Sequence, residues 1–78
     1  MRLTIGRRHT VDINSLAAAS VEYQRLRDAS GEGASTWPTG RVRTASGQVY
    51  TITYNGRVWS GSRPVPGNMV LEAVRPAR

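Results

Sequence analysis

The sequence contains no cysteine, no lysine and no phenylalanine, and each absence narrows what the protein can be. Without cysteine, neither a disulfide nor a thiolate metal ligand is available, so the chain suits a reducing compartment and we expect a cytoplasmic protein. Two tryptophans and three tyrosines must supply the large core side chains of a 78-residue protein. This predicts a single small domain over residues 1–78, of modest stability.

Groups that carry catalysis or bind metals are scarce. The chain has one histidine, His9, and five scattered acidic residues. His9 and Asp12 are three apart in an extended segment, so their side chains point to opposite faces and cannot together orient a nucleophile. One histidine without thiolates or paired carboxylates cannot supply the usual three or four metal ligands. We therefore expect no enzyme activity, no metal and no cofactor.

Long apolar runs are also missing. No stretch approaches the roughly 20 apolar residues of a membrane-spanning helix. Arg7, Arg8 and Asp12 interrupt the N-terminal segment before a signal-peptide core could form. We expect a soluble intracellular protein that does not bind a membrane.

What the sequence has in excess is positive charge. The formal net charge is +6, and all eleven basic residues are arginine. Such a charge on a small body attracts polyanions such as nucleic acid. The complete lack of lysine, together with abundant alanine, glycine and valine, is also the usage of a GC-rich genome. The charge alone therefore leaves a functional and a compositional explanation open.

Two short segments near the N-terminus alternate polar and apolar side chains. They are residues 2–5 and residues 9–13, and residues 6–8 between them are expected to form a turn. This pattern predicts either one extended arm or an N-terminal hairpin.

A helix is predicted over residues 16–29, which contain neither glycine nor proline. Asn14 or Ser15 can accept hydrogen bonds from its first N–H groups, and Gly31 supplies a left-handed residue to end it. Four side chains recur at spacings of three and four and share the apolar face: Leu16, Ala19, Tyr23 and Leu26. The polar side chains of the helix are expected to face solvent: Glu22, Gln24, Arg25 and Asp28.

After a loop rich in helix breakers, three β-rich runs predict a meander, over residues 41–44, 48–54 and 57–60. Asn55-Gly56 is the strongest two-residue hairpin signal, because both central positions of that turn need positive φ. A two-residue turn there pairs Ile52 with Trp59.

The first turn of the meander decides where the arginines point, since a one-residue slip moves every side chain to the other face. A three-residue loop at 45–47 sets Val42 opposite Tyr50, whereas a two-residue loop reverses the faces. We favour the three-residue loop, because it gathers apolar side chains where a helix can cover them: Val42, Tyr50, Ile52 and Trp59. The other face then carries Arg41, Arg43, Thr51, Thr53 and Ser60.

Residues 69–74 predict a last strand, and residues 75–78 a short tail. The fold class is therefore α+β, with one helix packed on an antiparallel sheet in the order ββαββββ and the meander after the helix.

The leading functional expectation is a small non-enzymatic binding or assembly module that acts through protein contacts. Trp37 and Tyr54 need not both fit in so small a core, and aromatic residues are enriched where partners anchor. The alternative for Trp37 is that it packs the loop before Pro38 onto the core. An exposed sheet edge can also pair with a second copy, so we expect a monomer or a weak homodimer.

The second expectation is a nucleic-acid-binding accessory protein that uses a face rich in arginine and threonine. Guanidinium and hydroxyl groups contact phosphates, and β-sheets can lie along a nucleic acid. The residues expected to bind are Arg41, Arg43, Thr51, Thr53, Arg57 and Arg63. Against this, an exposed sheet face is normally polar, and the arginines are spread over the arm, the helix, the sheet and the tail.

Overall fold

The computed structural model describes residues 1–75, which form one helix and six strands. In chain order these are β1 (Arg2–Ile5), β2 (His9–Asp12), α1 (Leu16–Ser30), β3 (Gly40–Arg43), β4 (Val49–Ile52), β5 (Val58–Ser60) and β6 (Met69–Leu71). All strands are antiparallel to their neighbours in one sheet, in the order β2-β1-β3-β4-β5-β6. The α+β class and the order ββαββββ are confirmed; residues 76–78 of the predicted tail lie outside the described residues.

The signals read from the sequence set both ends of α1. Ser15 is in extended backbone, and its hydroxyl oxygen accepts a hydrogen bond from the Ala18 N–H at 3.0 Å. Gly31 ends the helix with a φ of 71°, and its N–H donates to the carbonyl of Asp28. Tyr23, on the predicted apolar face, is fully buried, and burial raises its pKa to about 12. The predicted helix and its apolar face are confirmed.

One helix side chain contradicts the expected exposure. Gln24 is only 6% exposed, and its amide nitrogen donates to the carbonyls of Ser20 and Val74, the latter at 2.7 Å. The buried Ser20 hydroxyl donates to the carbonyl of Gly56 and accepts from the Val74 N–H. Because Val74 lies 50 positions after Gln24, the sequence around Gln24 gives no sign that its side chain is buried. These two side chains join α1 to the β4–β5 turn and to the C-terminal segment.

The N-terminal segment is a hairpin, and it belongs to the main sheet. β1 pairs with β2 on one side and with β3 on the other, so Leu3 lies opposite both Val11 and Val42. The sheet is therefore continuous from the N-terminal hairpin to the last strand. Within residues 1–75, no helix is long and apolar enough to span a bilayer.

The turn between β3 and β4 confirms the three-residue loop. Val42 lies opposite Tyr50, and Arg43 lies opposite Val49. The loop 45–47 closes with Gly47 at a φ of 90°. Arg41 and Arg43 consequently point away from α1.

The turn between β4 and β5 differs from the prediction. Ile52 lies opposite Val58, not Trp59, and Trp59 lies opposite Thr51. The two-residue turn was wrong, and a three-residue loop 54–56 replaces it. The extra loop residue moves Trp59 to the face of the sheet opposite α1.

The geometry of Asn55 explains the longer turn. A two-residue turn would require positive φ at both Asn55 and Gly56. Among the described residues only glycines have positive φ, and Gly56, at 94°, takes the left-handed position. The Asn55 side-chain oxygen accepts from the Thr53 hydroxyl and the Arg57 N–H, which stabilises this loop.

The core lies between α1 and the sheet. Its buried apolar side chains come from the helix, from four strands and from the loop before β3: Leu3, Ile5, Ala19, Tyr23, Trp37, Val42, Ile52 and Val58. Tyr23 packs on Gly40, where a Cβ atom would lie 2.8 Å from the ring. The helix therefore approaches β3 closely, and the side chains on the other side of the sheet form a separate surface.

Candidate nucleic-acid interface

The side of the sheet away from α1, here called the open face, carries two rows of side chains that cross the strands. The first row runs across all six strands as Thr10, Thr4, Arg41, Thr51, Trp59 and Met69. The second contains Asp12, Arg2, Arg43 and Val49. These rows follow from the alternation of side chains along each strand. The open face therefore combines arginine, threonine and one tryptophan.

A groove of about 830 Å³ follows β1 and β3 on the open face. It runs from the residues before β3 to the residues after it. Its cationic and hydroxyl-bearing lining residues are Arg2, Thr4, Thr39, Arg41, Arg43 and Thr44. Asp12 is the carboxylate in the lining, and Arg2 forms an ion pair with it at 3.2 Å. We call this the cationic groove.

The arginines divide into two groups by their ion pairs. Each of the five carboxylate side chains contacts an arginine within residues 1–75; the pairs are Arg2–Asp12, Arg8–Glu32, Arg25–Glu22, Arg27–Asp28 and Arg57–Glu72. In the same part of the chain, the arginines outside these pairs are Arg7, Arg41, Arg43, Arg63 and Arg75. Arg41 and Arg43 are the two of these that line the cationic groove.

In two of the ion pairs, the arginine lowers the pKa of the carboxylate. The hydrogen bond from Arg8 lowers the pKa of Glu32, and the hydrogen bond from Arg57 lowers the pKa of Glu72. The Glu32 carboxylate in turn raises the pKa of Arg8. These glutamates remain ionised at neutral pH and neutralise arginines outside the cationic groove.

The positions of Arg2 and Arg43 are unfavourable for the stability of the folded protein. They are directly opposite each other on neighbouring strands, and like charges in such pairs are destabilising. Arg41 lies two residues from Arg43 on the same face of β3. Three guanidinium groups therefore converge on one groove that contains one carboxylate, an arrangement suited to an anion.

The structure separates the residues predicted to bind nucleic acid. Thr51 is only 3% exposed, and its hydroxyl donates to the Gly61 carbonyl. Thr53 donates to Asn55 and accepts from the Trp59 indole. Arg57 forms an ion pair with Glu72, and Arg63 is an exposed residue of the loop 61–68. Arg41 and Arg43 remain together in the groove. Ser60, expected beside them, lies opposite Tyr50 and so on the helix side.

The two residues expected to contact a protein partner both make contacts within the protein itself. Trp37 is 3% exposed and packs in the core, with the Arg8 guanidinium 5.4 Å from its ring centroid. Its indole N–H has no hydrogen-bond acceptor among the described residues. Tyr54 is partly buried; its hydroxyl donates to the Glu32 carbonyl, and Arg27 lies over its ring at 5.3 Å. Burial of Trp37 matches the alternative in which it packs its loop onto the core.

Sequence reasoning missed part of the groove. The alternation in residues 2–5 already placed Arg2 and Thr4 on one face. What it did not show is that β1 lies beside β3, which brings this face next to Arg41 and Arg43. Trp59 was predicted on the helix side of the sheet, because its face depends on the length of the loop 54–56.

The described residues contain no group of three or more potential metal ligands, and His9 lies beside the Trp37 ring, 5.9 Å between centroids. Neither a family model nor a curated protein or solved structure resembles the chain closely enough to count as a match. Its function is therefore inferred from the chemistry of the open face.

Proposed function

We propose that the protein is a small non-enzymatic binding module that holds the phosphate backbone of a nucleic acid in the cationic groove. The observation that carries this proposal is the presence of Arg41 and Arg43, without carboxylate partners among residues 1–75, in one groove. Because the lack of cysteine suits a reducing compartment, we place this function in the cytoplasm.

The groove chemistry supports contact with phosphates. Guanidinium groups bind phosphate oxygens through two parallel hydrogen bonds, and threonine hydroxyls add further donors. Side chains two residues apart on a strand are about 6.8 Å apart, so Arg41 and Arg43 can contact successive phosphates of an extended strand. The compositional explanation accounts for the number of arginines but not for three of them lining one groove.

Replacing Arg41 and Arg43 together tests the proposal. Arg41→Ala/Arg43→Ala should lower the affinity for a labelled oligonucleotide by about tenfold or more at low salt, since charge-assisted hydrogen bonds are lost. The slope of log affinity against log salt should also fall by about 1.4 for a single strand and about 1.8 for a duplex. Fluorescence anisotropy at several salt concentrations measures both quantities.

The matched control is Arg7→Ala/Arg75→Ala, which removes the same charge at exposed positions that do not line the groove. Both double variants have the same net charge, so they share any loss of general attraction to a polyanion, and the control should lose much less affinity because it keeps the groove arginines. Equal losses in the two double variants, or no salt-dependent binding at all, would contradict the proposal.

A second candidate function is self-association through β6, the last strand of the sheet. β6 is an edge strand, and the apolar side chains of Met69 and Val70 are 42% and 49% exposed. Val65, in the preceding loop, is exposed as well. An edge with free backbone groups can pair antiparallel with the same edge of a second copy. Since β6 has only three residues, this contact favours a weak homodimer.

Sedimentation equilibrium tests this candidate. The native chain should dimerise as its concentration rises, and Val70→Lys should shift it to monomer, because charged side chains oppose edge pairing. Val70→Thr keeps a β-branched side chain and should still dimerise. A native chain that stays monomeric up to about 1 mM would exclude the candidate, since the dimer would then contribute less than about 4 kcal/mol.

A further inference from the structure

Trp59 is the aromatic side chain that the open face offers next to its arginines. It lies in the same row as Arg41, with Thr51 between them. Two strand spacings, about 9.6 Å, separate the backbones of β3 and β5, on which these two side chains lie. Trp59 is partly buried, whereas the other tryptophan, Trp37, belongs to the core.

The hydrogen bonding of Trp59 leaves the face of its ring as its remaining means of recognition. The indole N–H donates to the Thr53 hydroxyl at 3.1 Å. Indole has no other polar hydrogen, so this bond uses its donor and restrains the ring orientation. A restrained ring loses little freedom when a flat partner stacks on it.

Arg41 and Trp59 lie on either side of Thr51 in one row of the open face. Thr51 separates them, and its side chain is short, buried and bonded to Gly61. Because β3 and β5 are only two strand spacings apart, a strand whose phosphates contact Arg41 and Arg43 can extend a base across β4 toward Trp59. In a duplex the bases are paired and stacked inside, so only an unpaired strand can place one there.

We propose that the open face binds single-stranded nucleic acid, with phosphates in the cationic groove and a base stacked on Trp59. This inference rests on the proposed phosphate binding and adds the strandedness of the ligand. Aromatic rings stack on every kind of base, so the expected recognition is tolerant of sequence.

The test compares a mixed-sequence single-stranded DNA of about 12 nucleotides with its duplex, matched to OB-fold-like site sizes of about 4–16 nucleotides. The single strand should bind more tightly. Trp59→Leu should weaken single-strand binding by about tenfold and leave duplex binding and the salt slope unchanged, because stacking releases no counterions. Trp59→Phe keeps an aromatic ring and should retain most of the affinity.

A second measurement observes the stack directly and does not depend on replacing Trp59. In Trp37→Phe, Trp59 is the remaining tryptophan, and its fluorescence should be quenched on adding the single strand. Circular dichroism of each variant checks that it is folded.

The outcomes separate this inference from the function on which it rests. Salt-dependent binding that needs Arg41 and Arg43 but shows equal affinity for both ligands, with Trp59 unquenched, overturns only the single-strand inference. If the native protein shows no salt-dependent binding to either ligand, both the single-strand inference and the proposed phosphate binding are overturned.

Discussion

At the scale of single residues, two glycines share a backbone conformation but differ in their surroundings. Gly47 and Gly56 have φ angles of 90° and 94°. A Cβ atom at Gly47 would meet nothing within 4 Å, whereas one at Gly56 would lie 2.5 Å from the carboxamide carbon of Gln24. The first glycine is required by its conformation alone, and the second also by the side chain packed on it.

Alanine at these two positions separates the two requirements. Gly47→Ala should lower the free energy of unfolding by about 1–2 kcal/mol, the cost of a left-handed alanine. Gly56→Ala should cost about 3 kcal/mol or more, because displacing Gln24 also leaves buried polar groups without partners. Urea denaturation of both variants measures the difference, and equal losses would show that Gln24 moves aside without penalty.

At the scale of elements, local signals predicted what local contacts determine. Ser15 and Gly31 cap the two ends of the helix through hydrogen bonds to residues within one turn, so the sequence was enough to predict where the helix begins and ends. The loop 45–47 was predictable because only one register separates apolar from charged side chains. The same period of two placed Arg41 and Arg43 together on the open face.

The elements that could not be predicted depend on distant partners or on closely matched alternatives. β1 precedes α1 in the sequence and β3 follows it, so no local sequence pattern predicts that these two strands pair. At Asn55-Gly56, two- and three-residue loops share a sequence signal, and the side-chain bonds of Asn55 favour the longer one. Trp59, and with it half of the proposed single-strand site, changed faces as a result.

At the scale of the whole molecule, the ion pairs determine where positive charge remains. The carboxylates are spread over the helix, the turns and the strand ends, where each contacts an arginine within the described residues. The cationic groove keeps Arg41 and Arg43 outside these pairs. A protein with a formal charge of +6 thereby presents part of that charge at one site.

Acid should destabilise the molecule through two of these pairs. The pKa values of Glu32 and Glu72 are lowered in the folded state by hydrogen bonds from Arg8 and Arg57. Their contribution is present above the unfolded glutamate pKa of about 4.3 and is lost as the pH falls through the lower folded pKa.

Thermal unfolding between about pH 6 and pH 2.5, a range that spans the glutamate pKa, measures this dependence. Glu32→Gln/Glu72→Gln should be less stable than the native protein at neutral pH and should lose less of its remaining stability in acid. A variant with the native pH profile would show that these two pairs do not link protonation to folding.

The hydrogen bonds that join Ser20 and Gln24 to Val74 have a consequence for the order of folding during synthesis. The two helix residues leave the ribosome long before Val74, which lies 54 positions after Ser20 and 50 after Gln24. Until Val74 emerges, the two hydrogen bonds to its backbone cannot form. The hydrogen bonding of this buried polar pair on α1 is therefore complete only after the segment that follows β6 has been synthesised.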